Sequence, residues 1–73
     1  MKIAIMGAGG VGGYFGARLA AAGEDVWFIA RGAHLDAMRS AGLQVNSANG
    51  DVLVEPCQAT DQPAEVGLAD LVI

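Results

Sequence analysis

Apolar positions along this chain change their period repeatedly, and the changes mark out its elements. Ile3-Ala4-Ile5-Met6 is an apolar run with no polar residue inside it. Such a run suits a strand buried on both faces, as in a parallel sheet. It stops at Gly7. From Val11 to Ala22 the spacing becomes helical: Val11, Phe15 and Leu19 fall at i, i+4 and i+8. Gly12, Gly16 and Ala20 form a neighbouring row of small residues. Glycine inside a helix costs roughly 1 kcal/mol relative to alanine. Two glycines in one row therefore point to a helix lying close against a sheet. Gly23 is placed to end that helix.

Val26–Ala30 reads as a second strand, rich in β-formers, with Trp27 and Phe28 expected in the core. A second helix is predicted over about Ala33–Ala41, with Leu35 and Met38 inward. Gly42 closes it, and Leu43 supplies the apolar contact that accompanies such a cap. Asn49-Gly50 between two β-prone runs, Gln44–Ser47 and Val52–Val54, is a strong hairpin signal. Pro56 should end the second arm. Asp61 is a candidate N-cap for a short helix with Pro63 in its first turn, closed by Gly67. Asp70–Ile73 reads as the start of another buried strand. No repeat, low-complexity tract or linker interrupts the pattern. The fold class is α/β: the first half of a Rossmann-type doubly wound parallel sheet with an inserted β-hairpin.

Length qualifies that picture. At 73 residues, the chain is shorter than the ~100–200 residues usual for a domain. The expectation is the N-terminal part, residues 1–73, of a dinucleotide-binding domain, incomplete. A chain this short buries only about 60% of its unfolded surface. An unpaired sheet edge is expected at Lys2–Met6 or at Asp70–Ile73.

Charge and cysteine usage narrow the function classes. The net charge is −4, and the four cations (Lys2, Arg18, Arg31, Arg39) are scattered. Nucleic-acid binding needs clustered Lys/Arg and is not expected. Cys57 is the sole cysteine, so an internal disulfide is excluded, and a small buried or edge residue is its plain role. The apolar run after Lys2 is shorter than the ~7–15 residues of a secretory signal core. No stretch approaches the ~18 apolar residues of a membrane span. A cytoplasmic location is the expectation.

Gly7-Ala8-Gly9-Gly10-Val11-Gly12 fits G-x-G-x-x-G. The pattern is weak alone and stronger here, because it follows a buried-type strand and opens a helix within a βαβ unit of ~30 residues. Gly7 permits the tight turn, Gly9 lets a pyrophosphate approach the backbone, and Gly12 lets helix and strand pack closely. The first-turn N–H groups then face the anion. Gly7, Ala8, Gly9, Gly10, Val11 and Gly12 are thus candidate cofactor-binding residues. The end of the second strand is the other informative place. Dinucleotide sites for NAD put Asp or Glu there to bond the ribose hydroxyls. This strand ends Ile29-Ala30-Arg31-Gly32, with no acid. An arginine fork binds a 2′-phosphate where an acid repels it. Arg31 therefore favours NADP(H), against the alternative of a solvated surface arginine. His34 reads as a surface residue. Asp36, Glu55, Asp61 and Glu65 form no metal-ligand or dyad pattern, so no catalytic or metal residue is assigned.

Residues 1–19, from Met1-Lys2-Ile3 through Gly7–Gly13 to Ala17-Arg18-Leu19, resemble the N-terminus of ketopantoate reductases (2-dehydropantoate 2-reductases). Ala30-Arg31-Gly32 with His34, Gly42-Leu43 leading into Asn49-Gly50-Asp51, and Ala59-Thr60-Asp61 continue the likeness over essentially the whole chain. The resemblance implies NADPH-dependent reduction of 2-dehydropantoate to pantoate, on the route to pantothenate and coenzyme A. It implies that Gly7–Gly12 hold the pyrophosphate and that Arg31 meets the 2′-phosphate. The general-acid lysine and the substrate groups would belong to a C-terminal helical domain absent from this chain. A fragment alone is not expected to be active. The implied partners are a small 2-keto acid, through that absent domain, and a second copy in a homodimer, with no nucleic acid and no membrane. Two other classes stay open: another NADP-dependent keto-acid or hydroxyacid oxidoreductase, and a non-enzymatic nucleotide-sensing module. Sensing modules usually carry an acid where this chain has Arg31.

Overall fold

A computed structural model describes residues 1–7, 10–46, 48 and 50–73, with Gly10 and Val11 described as backbone only. Strand β1 (Lys2–Met6) leads to helix α1 (Gly10–Ala21) and strand β2 (Asp25–Ile29). Helix α2 (Gly32–Ala41) follows, then a hairpin of β3 (Leu43–Val45) and β4 (Val52–Val54). Strand β5 (Ala59–Thr60), the single-turn helix α3 (Pro63–Val66) and strand β6 (Leu71–Val72) complete the order.

Four strands form a parallel sheet in the order β5-β2-β1-β6. Chain order thus runs outward from β1 through β2 to β5, then returns to the other side of β1. This reversal is the signature of a doubly wound sheet. Strand β1 lies between two neighbours, so Lys2–Met6 is not the edge that the sequence allowed; the free edges are β5 and β6. The apolar run of β1 accounts for its central place, since an inner parallel strand is apolar on both faces.

Alternation along the strands separates the two faces. Ile3, Ile5, Val26, Phe28 and Ala59 form one core with Leu35 and Met38 of α2, and Leu19 and Ala20 of α1 pack against it. Phe28, Ile3, Ile5 and Met38 are almost wholly buried, each worth about 1.5–3 kcal/mol of burial. The opposite face carries Ala4, Met6, Ile29 and Val72, which share a groove with Pro63 and Val66 of α3. Trp27 alternates onto this second face and is half-buried, not part of the core as expected. Phe15, expected in an apolar row with Leu19, points outward at 51% exposure and stacks edge-on against Tyr14.

The face of α1 that meets the sheet is its row of small residues. A Cβ added to Gly16 would lie 2.6 Å from Cε1 of Phe28 and 3.0 Å from Cγ1 of Ile5. At Gly12 the same atom would lie 3.5 Å from Ile5, an ordinary contact. The close packing expected at Gly12 is therefore enforced one turn later, at Gly16. Helix α1 ends with Gly23 at φ +94°, its N–H donating to Ala20 O at 3.0 Å.

The hairpin pairs Leu43 with Val54, Gln44 with Leu53 and Val45 with Val52. The second arm has its predicted bounds, whereas the first begins a residue early and ends at Val45; Ser47 and Asn49 lie outside the described residues. Gly42 opens the hairpin at φ +81°, and a Cβ there would meet Val54 O at 2.5 Å. Strand β5 has only two residues and no periodicity by which the sequence could announce it. It is held by Phe28 N–H to Gln58 O (2.8 Å) and by Nε of Arg39, which donates to Ala59 O (3.1 Å). Gln62, not Asp61, caps α3, and it makes no side-chain cap bond. The buried Thr60 hydroxyl accepts the Gln62 N–H at 3.0 Å, a bond within the turn that leads into the helix.

Replacing Gly16 tests the helix–sheet contact. Gly16→Ala gains about 1 kcal/mol of helix propensity, but overpacking a filled core costs roughly 1–3 kcal/mol. Phe28 is fully buried and has no space to yield. The expected outcome is a lowered urea midpoint for Gly16→Ala and a further drop for Gly16→Val. A raised midpoint in both would show that the ring gives way.

Candidate functional site

Ligands of doubly wound sheets bind beyond the carboxyl ends of the strands, where the strand order reverses. Here β1 borders that reversal. A cleft of about 490 Å³ opens at the ends of β1 and β2, lined by Met6, Gly7, Ile29, Ala30 and Arg31. Hydrogen bonds fix its floor. Met6 N–H donates to Ile73 O (2.8 Å), Gly7 N–H to Ile29 O (2.9 Å) and Ala30 N–H to Thr60 O (3.0 Å). The chain thus leaves the sheet at Gly7 from a strand held on both sides. Gly7 has φ +92°, a conformation that only glycine adopts without strain.

Helix α1 begins at Gly10, three residues beyond Gly7, with no acid in its first turn. Strand end, glycine turn and helix start therefore follow in the order that a pyrophosphate site requires. Gly7 lines the cleft, Gly10 and Val11 open the helix, and Gly12 lies within its first turn. Ala8 and Gly9 lie outside the described residues.

Arg31 stands at the second wall. Its backbone is extended (φ −145°, ψ 164°), and it is the N-cap of α2 without a side-chain cap bond. A guanidinium cannot accept hydrogen bonds, so this helix start keeps free N–H groups, and its first turn holds no acid. Gly32 follows at φ +63°, with open space where a side chain would stand. Among the described residues lining the cleft, Arg31 alone carries a charge. The wall can bind an anion bidentately. It offers no side-chain acceptor for a ribose hydroxyl. His34 is exposed on the first turn of α2 and is not among the cleft residues.

Other chemistry-bearing side chains are engaged in holding the fold. The Thr60 hydroxyl donates to Oε2 of Glu65 at 3.0 Å. Nε2 of Gln58 donates to Oδ1 of Asp25 (2.7 Å) and to Val26 O (2.9 Å), tying the approach to β5 onto β2. Among the described residues no cluster of His, Cys, Asp and Glu could hold a metal ion, and no helix is long and apolar enough to cross a membrane. Cys57 is buried in the core, and desolvation pushes its thiol above the ordinary value. Sequence reasoning missed the part played by Thr60, whose O ties the end of β2 at Ala30; a two-residue strand gives no pattern that could have revealed it.

Comparison with known proteins agrees with this architecture. Residues 3–73 match the family described as ketopantoate reductase PanE/ApbA. A protein of Mesorhizobium japonicum named 2-dehydropantoate 2-reductase is 43% identical over the whole chain, which spans 22% of that relative. A Bacillus subtilis protein named uncharacterized oxidoreductase YkpB is 40% identical over the whole chain, which spans 23% of it. The crystal structure of 2-dehydropantoate 2-reductase from Geobacter metallireducens superposes with a TM-score of 0.90 at 43% identity, covering 99% of this chain and 24% of that one. The chain thus spans under a quarter of the length of these relatives.

Cys57 supplies a check on the core beneath the site. The thiolate is the reactive form, and a raised pKa leaves less of it at any pH below that value. A thiol reagent at pH 8 should label the folded chain about tenfold or more slowly than the urea-unfolded chain. Because the folded state holds the thiol proton more tightly, this group's stabilisation is present at neutral pH. It is lost as pH rises above the thiol's ordinary value. Equal labelling rates would place Cys57 outside the core.

Proposed function

The chain belongs to the ketopantoate reductase PanE/ApbA family, and from that premise we propose that it forms the phosphate-holding portion of an NADPH-dependent reductase. In this proposal residues 1–73 are the N-terminal part of the dinucleotide-binding domain. Gly7–Gly12 hold the cofactor pyrophosphate, and Arg31 binds the 2′-phosphate. The substrate is 2-dehydropantoate, reduced to pantoate on the route to pantothenate and coenzyme A. The groups that bind and protonate the keto acid lie in a C-terminal helical domain outside these residues.

One observation carries the cofactor assignment. Arg31 is the sole charge among the described residues of a cleft that begins at the glycine turn, and no carboxylate stands beside it there. A second reading keeps the cofactor and changes the keto acid; it is favoured by the Bacillus subtilis relative, whose name specifies an oxidoreductase and no substrate.

Arg31→Ala separates the two cofactors. A hydrogen bond to a charged group contributes about 1.5–3 kcal/mol, so NADPH affinity should fall about ten- to a hundredfold. NADH affinity should stay within about twofold, because NADH lacks the 2′-phosphate that Arg31 would bind. Titration by isothermal calorimetry measures both, and equal losses would remove the assignment. For the substrate, a polypeptide joining this segment to the remaining length of its family should oxidise NADPH with 2-dehydropantoate. Turnover restricted to other 2-keto acids would support the second reading instead.

A further inference from the structure

We infer that Thr60 is a positioning residue for Arg31: its buried hydroxyl braces strand β5, and β5 fixes the point at which Arg31 leaves the sheet. The inference rests on the cofactor reading proposed above. Strand β5 has two residues and pairs with β2 at the sheet edge. It nevertheless holds the chain on both sides of Arg31. On the strand side, Ala30 N–H donates to Thr60 O at 3.0 Å. On the helix side, Nε of Arg39 in the last turn of α2 donates to Ala59 O at 3.1 Å. Both anchors are carbonyls of β5. Between them the hold is looser. Arg31 O accepts Leu35 N–H at 3.4 Å, a long bond for a helix start. Gly32 has open space where a side chain would pack.

An edge strand this short opens readily unless side chains hold it. Thr60 supplies that hold. Its side chain is wholly buried. Its Oγ1 donates to Oε2 of Glu65 at 3.0 Å and accepts the Gln62 N–H at 3.0 Å. Donor and acceptor are both engaged, so the hydroxyl ties β5 to the start of α3. A bond to a carboxylate is the stronger kind. Glu65 itself is exposed on α3. Neither Thr60 nor Glu65 lines the cleft among the described residues. Their effect on a ligand therefore passes through the main chain at Ala30. A guanidinium grips a phosphate with two parallel bonds, and such a grip tolerates a displacement of only about 0.5 Å. A frayed β5 releases Ala30, and the arginine then starts from a backbone that is no longer fixed.

The test uses the 73-residue chain, with adenosine 2′,5′-bisphosphate and adenosine 5′-monophosphate as probes, and reads dissociation constants from amide chemical-shift titrations. Wild type should prefer the bisphosphate, and Arg31→Ala should abolish the preference. A wild type without it, or an Arg31→Ala chain that keeps it, removes the cofactor reading and this inference with it. Thr60→Val keeps the volume and loses the hydroxyl. It should weaken the bisphosphate about three- to tenfold, less than loss of the whole arginine–phosphate contact, and the monophosphate by no more than about twofold. Thr60→Ser, which keeps the hydroxyl, should stay within about twofold of wild type. With Arg31→Ala already present, Thr60→Val should change bisphosphate affinity by no more than about twofold, because both residues act on one interaction. Four results overturn the inference and leave the Arg31 reading standing: unchanged bisphosphate affinity in Thr60→Val, equal weakening of both probes, the same loss with and without Arg31, or a serine variant as weak as the valine one. If Thr60→Val gives no folded amide spectrum, Glu65→Ala and Glu65→Gln decide, since both remove the charge and only glutamine keeps an acceptor for the hydroxyl. Bisphosphate binding about threefold or more weaker in the alanine variant supports the brace, and equal binding overturns it.

Discussion

Helix α1 can lie on the sheet because Gly16 has no side chain. The ring edge of Phe28 and the side chain of Ile5 occupy the space where a Cβ would stand. That contact sets the distance between helix and sheet, and much else follows from it. It anchors the helix that starts just beyond the Gly7 turn. It also lets Leu19 and Ala20 pack on the core formed by β1, β2 and α2. Glycine carries a helix-propensity cost of about 1 kcal/mol, and the burial of Phe28 and Ile5 offsets it.

The reversal of strand order gives this packing its consequence for chemistry. Strand β1 is bonded on both sides, and its end is fixed by Met6 to Ile73 and by Gly7 to Ile29. The end of β2 is fixed in turn by Ala30 to Thr60. The glycine turn and Arg31 therefore face one cleft from two adjoining strands whose relative position is held by main-chain hydrogen bonds. Among the described residues lining that cleft, only Arg31 carries a charged side chain.

Legibility in the sequence followed the strength of local patterns. Strand β1 and both long helices could be read to within a residue or so, because apolar period and terminal glycines agreed. The cleft wall at Arg31 was legible because a strand's end is marked by the change from apolar residues to Arg31-Gly32. What escaped had no local pattern. Strand β5 is two residues whose pairing with β2 is a tertiary fact, and the central place of β1 depends on where β6 returns. Trp27 and Phe15 look like core residues by composition, yet alternation sends Trp27 to the second face and helical phase sends Phe15 to solvent. Asp61 resembled a cap, but the helix begins one residue later, with Gln62 in the N-cap position. The glycine motif begins where β1 ends, at Gly7, and reaches the start of α1 at Gly10, while the tightest approach fell at Gly16, outside the motif.

The two residues at the end of β2 differ in how freely a lineage can exchange them. Arg31 is exposed, caps nothing with its side chain and is not part of the core cluster. Ala30 is buried in that cluster. A substitution at residue 31 is therefore cheap for folding, whereas residue 30 is restrained by the core. Exchange at the end of β2 should accordingly be freer at the arginine, with the neighbouring position changing only together with the helix packed beneath it.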